Sequence, residues 1–587
     1  MNNKLSVCMM VKNEEAYLPT CLKSIEGLWD ELIIVDTGST DNTIDICKSF
    51  GAEVHIFPWI NNFSAARNES LKYATKDWIL VMDADDEIFP EDKKNLIEFL
   101  SSDLREDGIY FFQTLSYTGD YVDENNITIN LNPRLFKNHR GIHYEGEIHN
   151  QIVYPNNEAS FIYDKVKIHH YGYLNKAIYE KNKRERNMAI LKEQIKKYPE
   201  YGFAYFNLGN EYSALSNPEK ALECYYKSYE YFEASRGYSS ILLIKLVHSN
   251  YLLKNYEEAL KFISIGLSYF PKCTDLYYFK AVIFKELNKP TCEIEALKKC
   301  IELGEAPPEQ RFLYGTGDFR ALYELANVYF ELNDYENSYK YYIEAMKSKK
   351  DFSTPIYHIA YLLKKQNYSD EALKQKIDAI AKDFGADSIL LANLFFNLDY
   401  YEYSLEYIQA CEENHIFSDN LILLKMKNLI RTKQLTACIS ANSVDKRSPI
   451  YSFAAFYQVL SYILLPDYEE AKKLMSTLPE SKEINACRQL LKLLNNEPPS
   501  GELSKTSDDE YMSIIIEILE LFLINEKFDE LKSAVNLLTL VNDNSTFLSL
   551  GKLYFKYGYI DLAKEQVLNS IIQYRLYDLE ALEILKA

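Results

Sequence analysis

Glycine and proline are scarce in this chain, 19 and 17 copies among 587 residues. So few breakers exclude a loop-rich or collagen-like design and leave room for long packed helices. The 10 cysteines never form a C-x-x-C pair, which argues against a zinc site or disulfide frame and fits reduced, mostly buried thiols. No stretch reaches the roughly 18 consecutive apolar residues of a membrane helix. The opening MNNKLSVCMMVKNEEAY holds too short an apolar run for a secretory leader. The expectation is a cytoplasmic protein with no membrane span. Positive charge is also short, with 65 Lys and Arg against 86 Asp and Glu, a net −21. That balance argues against nucleic acid or anionic membrane as partners, because their phosphates must be neutralised by cations.

Tyrosine, by contrast, is abundant at 49 copies. The length exceeds one ordinary core, so two to four domains are expected. The first ~100 residues alternate apolar runs with helix-spaced segments. LSVCMMV (5–11), ELIIV (31–35), AEVHIF and WILVM read as strands, and EEAYLPTCLKSIEGL, STDNTIDICKSFG and FSAARNESLKYA as the helices between them. Strands without polar alternation are buried on both faces, as in a parallel α/β doubly wound sheet. Ligands of such sheets sit beyond the carboxyl ends of the strands. Asp36 stands at one such end, and Asp83, Asp85, Asp86 and Glu87 crowd another.

From about residue 200 the pattern is helical throughout. AYFNLGNEYSALSNPEKALECYYKS (from 204), RALYELANVYFELNDYENSYKYYIEA (from 320) and TFLSLGKLYFKYGYIDLAKEQVLNS (from 546) share one layout. Tyr205, Leu208, Gly209, Tyr212, Ala221 and Tyr225 in the first copy correspond to Phe547, Leu550, Gly551, Tyr554, Ala563 and Val567 in the last. The layout resembles the tetratricopeptide repeat, a helical pair of about 34 residues whose stacking makes a solenoid. The expected division is a nucleotide-binding domain at 1–175, a connecting helix at 176–200, repeats at 201–350 and divergent helical repeats at 351–587.

The acid cluster needs a positive partner, because like charges held close repel. A calcium loop of the EF-hand type requires ligands spread over twelve residues with a central glycine, and that pattern is missing. A D-x-D that holds Mg²⁺ or Mn²⁺ against a diphosphate fits better, since hard oxygen ligands suit those ions.

SVCMMVKNEEAYLPTCLKSI, IIVDTGSTDNT, FSAARNESLKYA and WILVMDADDE occur in this order. The series resembles the family-2 glycosyltransferases of GT-A fold over about residues 4–175. With helical repeats behind it, it is similar to the group of the sublancin-type peptide S-glycosyltransferases. The resemblance implies that Val11 and Glu14 line the nucleotide and that Asp36 accepts a hydrogen bond from the base, usually uracil. Thr37 stands where many members carry a second Asp. Arg67 is implied near the diphosphate, Asp83 toward ribose and metal, and Asp85 on the metal. In KIHHYGY (167–173) His170, rather than His169, is implied to complete the shell of a Mn²⁺ or Mg²⁺ cofactor. NPRLFKNHRGIHYEGEIHNQI (132–152) resembles the acceptor-side stretch of the family, with Asn150 where a Glu is usual. Glu145, Glu147, His149 and Asp86 are the candidate catalytic bases. Arg134 and Arg140 are candidates to reach a diphosphate or an acidic acceptor, and Trp59 and Phe63 read as core. The function implied is metal-dependent inverting transfer from a UDP-sugar to a Ser, Thr or Cys side chain of a peptide or protein held by the repeats. The alternatives are extension of a surface glycan and a non-catalytic scaffold. A second use of the repeats is homodimer formation through their Tyr-rich faces.

Overall fold

The computed structural model describes residues 3–117, 119, 127–155, 159–172, 183–366, 368–499, 501, 503 and 509–587. The chain divides into two compact units, Met1–Phe352 and Ser353–Ala587.

The first unit opens with β1 (Leu5–Val11), α1 (Leu18–Ser24), β2 (Glu31–Asp36), α2 (Thr43–Ser49), β3 (Glu53–Ile56), α3 (Phe63–Lys72) and β4 (Trp78–Val81). These four strands run parallel in the order β3-β2-β1-β4. Leu5, Val7, Cys8, Ile33, Ile34 and Leu80 are fully buried, as their unbroken apolar runs predict. Beyond β4 follow β5 (Asp86–Glu87), α4 (Pro90–Leu100), β6 (Gly108–Tyr117), β7 (Ile127–Lys137), a small hairpin of β8 (His143–Glu145) and β9 (Gln151–Val153), and β10 (Ser160–His170). The large sheet has eight strands in the order β3-β2-β1-β4-β7-β6-β10-β5.

A purely parallel sheet holds only for β1 to β4. β7 runs antiparallel to both β4 and β6. β6 and β7 follow one another and pair along most of their length, the arrangement that antiparallel neighbours adopt without a crossover. β10 then runs parallel to β6, and its last two residues pair with β5 (His169 with Glu87, His170 with Asp86). This closing pair brings the end of β10 against the acids that follow β4.

The connecting helix is seen as Lys183–Lys197; residues 173–182 of the expected join lie outside the described residues. Its Leu191 shares a core with Ile148, Ala204 and Leu208, with Phe63 and Met188 at the margin. The sheet domain and the first repeat therefore have apolar core in common. Helices Gly202–Ala214 and Pro218–Tyr229 then pair, and the pattern continues through Phe319–Glu331 and Tyr335–Ser348. Gly209 is required by this pairing, since a Cβ there would lie 2.5 Å from Cε1 of Tyr225.

In the second unit, helices from Thr354–Lys365 to Leu579–Lys586 enclose a core centred on Tyr451–Leu464, Lys482–Leu494 and Asp509–Ile524. Arg431 is buried there and pairs with Glu517 at 2.6 Å and Glu520 at 3.4 Å. Among the described residues no helix is long and apolar enough to cross a membrane. All ten cysteines are free thiols, eight of them buried.

Candidate active site

Two loops at the carboxyl ends of β1 and β2 are laced together by short polar side chains. The Asn13 N–H donates to Ser39 Oγ at 2.9 Å, the Thr40 N–H to Asn13 Oδ1 at 2.8 Å, and the Glu14 N–H to Thr43 Oγ1 at 2.7 Å. Asn13 takes φ 53°, a left-handed turn that asparagine tolerates. Thr37 is tied back to Val11, whose carbonyl accepts from its N–H at 3.0 Å and its hydroxyl at 3.1 Å. Asp36 is 1% exposed, and its Oδ1 accepts from the N–H groups of Gly38 and Ser39, each at 2.9 Å. Its Oδ2 is buried and meets no partner. A buried carboxylate oxygen left unpaired is costly, and its place at a strand end is where a ligand N–H would meet it. Val11 and Glu14 stand at this loop pair.

The acids after β4 are relieved first by the protein itself. Arg134 on β7 is 2% exposed; it meets Asp83 at 3.0 Å and Asp86 at 3.1 Å. Arg67 on α3 meets the other oxygen of Asp83 at 2.8 Å. Burial pushes the Asp83 carboxyl up, but Arg134 and then Arg67 outweigh it and hold the group well below the usual carboxylate range. His170 Nδ1 lies 2.9 Å from Asp86 and 3.5 Å from Asp85. Burial lowers its pKa, yet Asp85 and then Asp86 raise it to about 9. The expected metal is thus not the sole counter-charge, because the guanidiniums of Arg134 and Arg67 already pair with the acids. Arg134 is a buried strut rather than a reach for diphosphate, and Arg140 pairs at the surface with Glu106.

The donor set suits a hard divalent ion. One oxygen each from Asp83 and Asp86 and one nitrogen from His170 lie within 4.8 Å of one another, and Asp85, 7% exposed, stands beside them. Gly172 completes the cradle. A Cβ at that position would lie 2.4 Å from Asp85 Oδ2 and 2.7 Å from His170 Nε2, so any other residue would fill the space those two atoms face. The Tyr171 N–H donates to the Asp85 carbonyl at 3.0 Å and fixes this approach. His169 points elsewhere, with Nδ1 2.8 Å from Tyr117 Oη and its ring stacked on Phe89 at 3.7 Å.

The candidate bases scatter. Both oxygens of Asp86 are engaged, Oδ1 by His170 and Oδ2 by Arg134 and the Asp83 N–H. Glu145 is exposed and pairs with His143 at 3.3 Å. Strand alternation sets it opposite Tyr144, whose buried ring lies 5.2 Å from the Arg67 guanidinium. Glu147 and His149 lie on the following loop, which α3 grips through Ser64 Oγ to the Gly146 carbonyl (2.6 Å) and Asn68 to both backbone groups of Tyr144 (2.8 Å each). Burial lowers the His149 pKa to about 4. Trp59 and Phe63 are half-buried rather than core, capped by Arg186 of the connecting helix.

Sequence reasoning missed Tyr144, the lacing side chains Asn13, Ser39 and Thr43, and the part of Arg186. The only advance signal was the density of Ser, Thr and Asn after β2.

Such a domain, a mixed sheet with acids at the ends of β2 and β4 and His170 beside them, is GT-A-like. The description Glycosyl transferase family 2 matches residues 6–153, and Tetratricopeptide repeat matches residues 204–234 and 319–352. The chain is 28% identical over 285 residues, 47% of its length, to the SPbeta prophage-derived glycosyltransferase SunS of Bacillus subtilis, of which it covers 65%. It is 32% identical over 215 residues to a TPR repeat-containing protein of Synechococcus elongatus (35% of this chain, 51% of that one). It is also 32% identical over 120 residues to an uncharacterized glycosyltransferase of Rickettsia typhi (20% and 40%). The chain spans 65% or less of the length of these relatives. Among solved structures, glucosyl-3-phosphoglycerate synthase from Mycobacterium tuberculosis, in complex with Mn²⁺, uridine-diphosphate and glucosyl-3-phosphoglycerate, is 28% identical (19% of this chain and 44% of that one), with a TM-score of 0.17.

Proposed function

We propose that the N-terminal domain transfers a sugar from a nucleotide-sugar, a UDP-sugar foremost, to a hydroxyl or thiol side chain of a peptide or protein, with inversion at the anomeric carbon. The observation that carries this reading is the pairing of two sites. Asp36, with a buried unpartnered oxygen, and the Asp83–Asp85–Asp86–His170 cluster occupy the carboxyl ends of β2 and β4. The stretch that holds both matches a glycosyltransferase family.

Asp36 Oδ2 accepts an N–H of the base, and the laced loops around Asn13 and Ser39 hold that oxygen still. Asp83, Asp86 and His170, with Asp85 alongside, would hold Mn²⁺ or Mg²⁺. When bound, such an ion supplies Lewis-acid stabilisation of the charge on a leaving diphosphate. Arg134 locks the two carboxylates in register, and Arg67 sets Asp83 from the side of α3. The acceptor proton goes to Glu147 or His149, the two candidates not committed to another partner through their side chains. His149 is neutral at pH 7, but the burial that lowers its pKa to about 4 also makes it a weak base there. The peptide acceptor is favoured by the repeats, which present helical surface suited to extended chains, and by the likeness to SunS.

The test is incubation of the purified chain with UDP-, GDP- and dTDP-sugars, Mn²⁺ and a Ser- and Cys-containing peptide. UDP release from a UDP-sugar, with the matching mass gain on the peptide, is the expected result. Failure to release nucleotide from any donor contradicts the reading.

A further inference from the structure

Between helices Pro290–Leu303 and Phe319–Glu331 the chain makes a detour that helix pairing does not require. Its two ends meet, since a Cβ on Gly317 would collide with the carbonyl of Gly304. The stretch between them is therefore a closed loop, a form that is frequently functional. Insertions in a repeat stack gather on one face, often the binding face.

This loop lies back on the preceding repeats. Phe312 and Leu313 pack against the core of helices Ser239–Leu252, Tyr256–Tyr269 and Thr274–Glu286. The first and last of these alternate with the middle one, so they are neighbours on one face of the stack. The groove along that face grips the loop by its main chain. Ser240 Oγ donates to the Glu309 carbonyl at 3.3 Å, and Cys273 Sγ to the Gln310 carbonyl at 3.7 Å. Asp275 accepts from the N–H groups of Phe312 at 3.4 Å and Leu313 at 2.8 Å. After a 3₁₀ turn at Pro308–Gln310, Arg311 is extended (φ −80°, ψ 128°). The Lys245 ammonium lies 4.5 Å from the centroid of the Phe312 ring, a cation held over a π face.

Main-chain bonds supply affinity without reading sequence, and side-chain seats supply the choice. A second extended peptide can therefore make the same bonds. Asp275 is fully buried, and a buried carboxylate without donors is costly, so the groove needs an occupant. The fit of the loop is incomplete, because Gln310 Oε1 is buried and meets no partner. We propose that residues 306–313 are a built-in stand-in for a peptide ligand. The groove takes an extended peptide with a basic–aromatic–aliphatic triplet like Arg311-Phe312-Leu313, and the loop keeps it closed until such a peptide displaces it. The groove shares no residue with the acid cluster after β4, and its test needs no nucleotide-sugar.

The test uses the full chain and a second one in which Gly-Ser-Gly replaces residues 306–313. The probe is fluorescein-labelled Pro-Pro-Glu-Gln-Arg-Phe-Leu-Tyr-amide, the sequence of residues 307–314, read by fluorescence anisotropy. Saturable binding is expected in the loop-replaced chain. Affinity is expected to be at least tenfold weaker in the wild type, where the tethered loop competes at high effective concentration. Asp275→Ala in the loop-replaced chain is expected to weaken binding at least fivefold. A loop-replaced chain that melts cooperatively but does not bind overturns the proposal, as does a wild type that binds equally well or an Asp275→Ala chain of unchanged affinity. Hydrogen exchange in the wild type decides the matter should the loop-replaced chain fail to fold. The Phe312 and Leu313 amides are expected to exchange through a local opening that low urea leaves unchanged. Exchange only in step with the amides of Ser239–Leu252 would make the loop a fixed strut and overturn the proposal.

Discussion

Arg134 shows how much one side chain carries. It is buried against Asp83 and Asp86, and taking it away leaves two carboxylates with less compensation in a dry place. Breaking a buried pair in this way costs about 3–5 kcal/mol. Arg134→Met is therefore expected to lower stability by about that amount in urea titrations and to abolish nucleotide-sugar turnover; a variant as stable as the wild type contradicts the strut assignment. Gly172→Ala acts on the same cluster from the other side. Its Cβ would press on Asp85 Oδ2 and His170 Nε2, and overpacking of this kind costs about 1–3 kcal/mol. Turnover is expected to fall at least tenfold while the fold survives, as read by nucleotide release and a melting curve; unchanged turnover would show that the cradle is not used. Part of this was legible in the sequence. Asp36 and the acids after Met82 follow apolar runs that announce strand ends, whereas His170 was implied only by the family resemblance. The role of Arg134 was not legible, because nothing local in NPRLF says that β7 lies next to β4. That contact is set by a long-range antiparallel pairing with no sequence period of its own.

Elements show the same division. β1 to β4 could be read from unbroken apolar runs, and the repeats from their recurring Leu-Gly and Tyr positions. Residues 304–318 could not, since they interrupt the repeat between helices Pro290–Leu303 and Phe319–Glu331. The structure pins this segment on Asp275, which is fully buried and accepts from the N–H groups of Leu313 at 2.8 Å and Phe312 at 3.4 Å. Burial raises the Asp275 carboxyl to about 7, against the pull of those two N–H groups. A carboxyl raised in the folded state contributes stability that is whole below its unfolded value near 4 and is lost as pH rises through 7. The stability advantage of the wild type over Asp275→Asn is thus expected to shrink by on the order of 4 kcal/mol between pH 4 and pH 8. Paired urea titrations across that range measure it, and a difference independent of pH would show that Asp275 is ionised throughout.

For the whole molecule, the division at Phe352 suggests where the chain tolerates cutting. A protein ending at Phe352 is expected to melt cooperatively and to keep nucleotide-sugar turnover. One ending at residue 200 loses Ala204 and Leu208, which cover Leu191 and Ile148, and is expected to aggregate. Circular dichroism melts of the two truncations decide the matter, and a soluble, folded 1–200 fragment would show that the shared core is dispensable. The broader account depends on the sheet domain holding a nucleotide diphosphate between Asp36 and the acids after β4. Calorimetric titration of UDP into the full chain, with and without Mn²⁺, tests that most directly. Saturable binding that requires Mn²⁺ and disappears in Asp83→Ala is predicted. Equal binding with and without the ion, or no binding in its presence, would contradict the account.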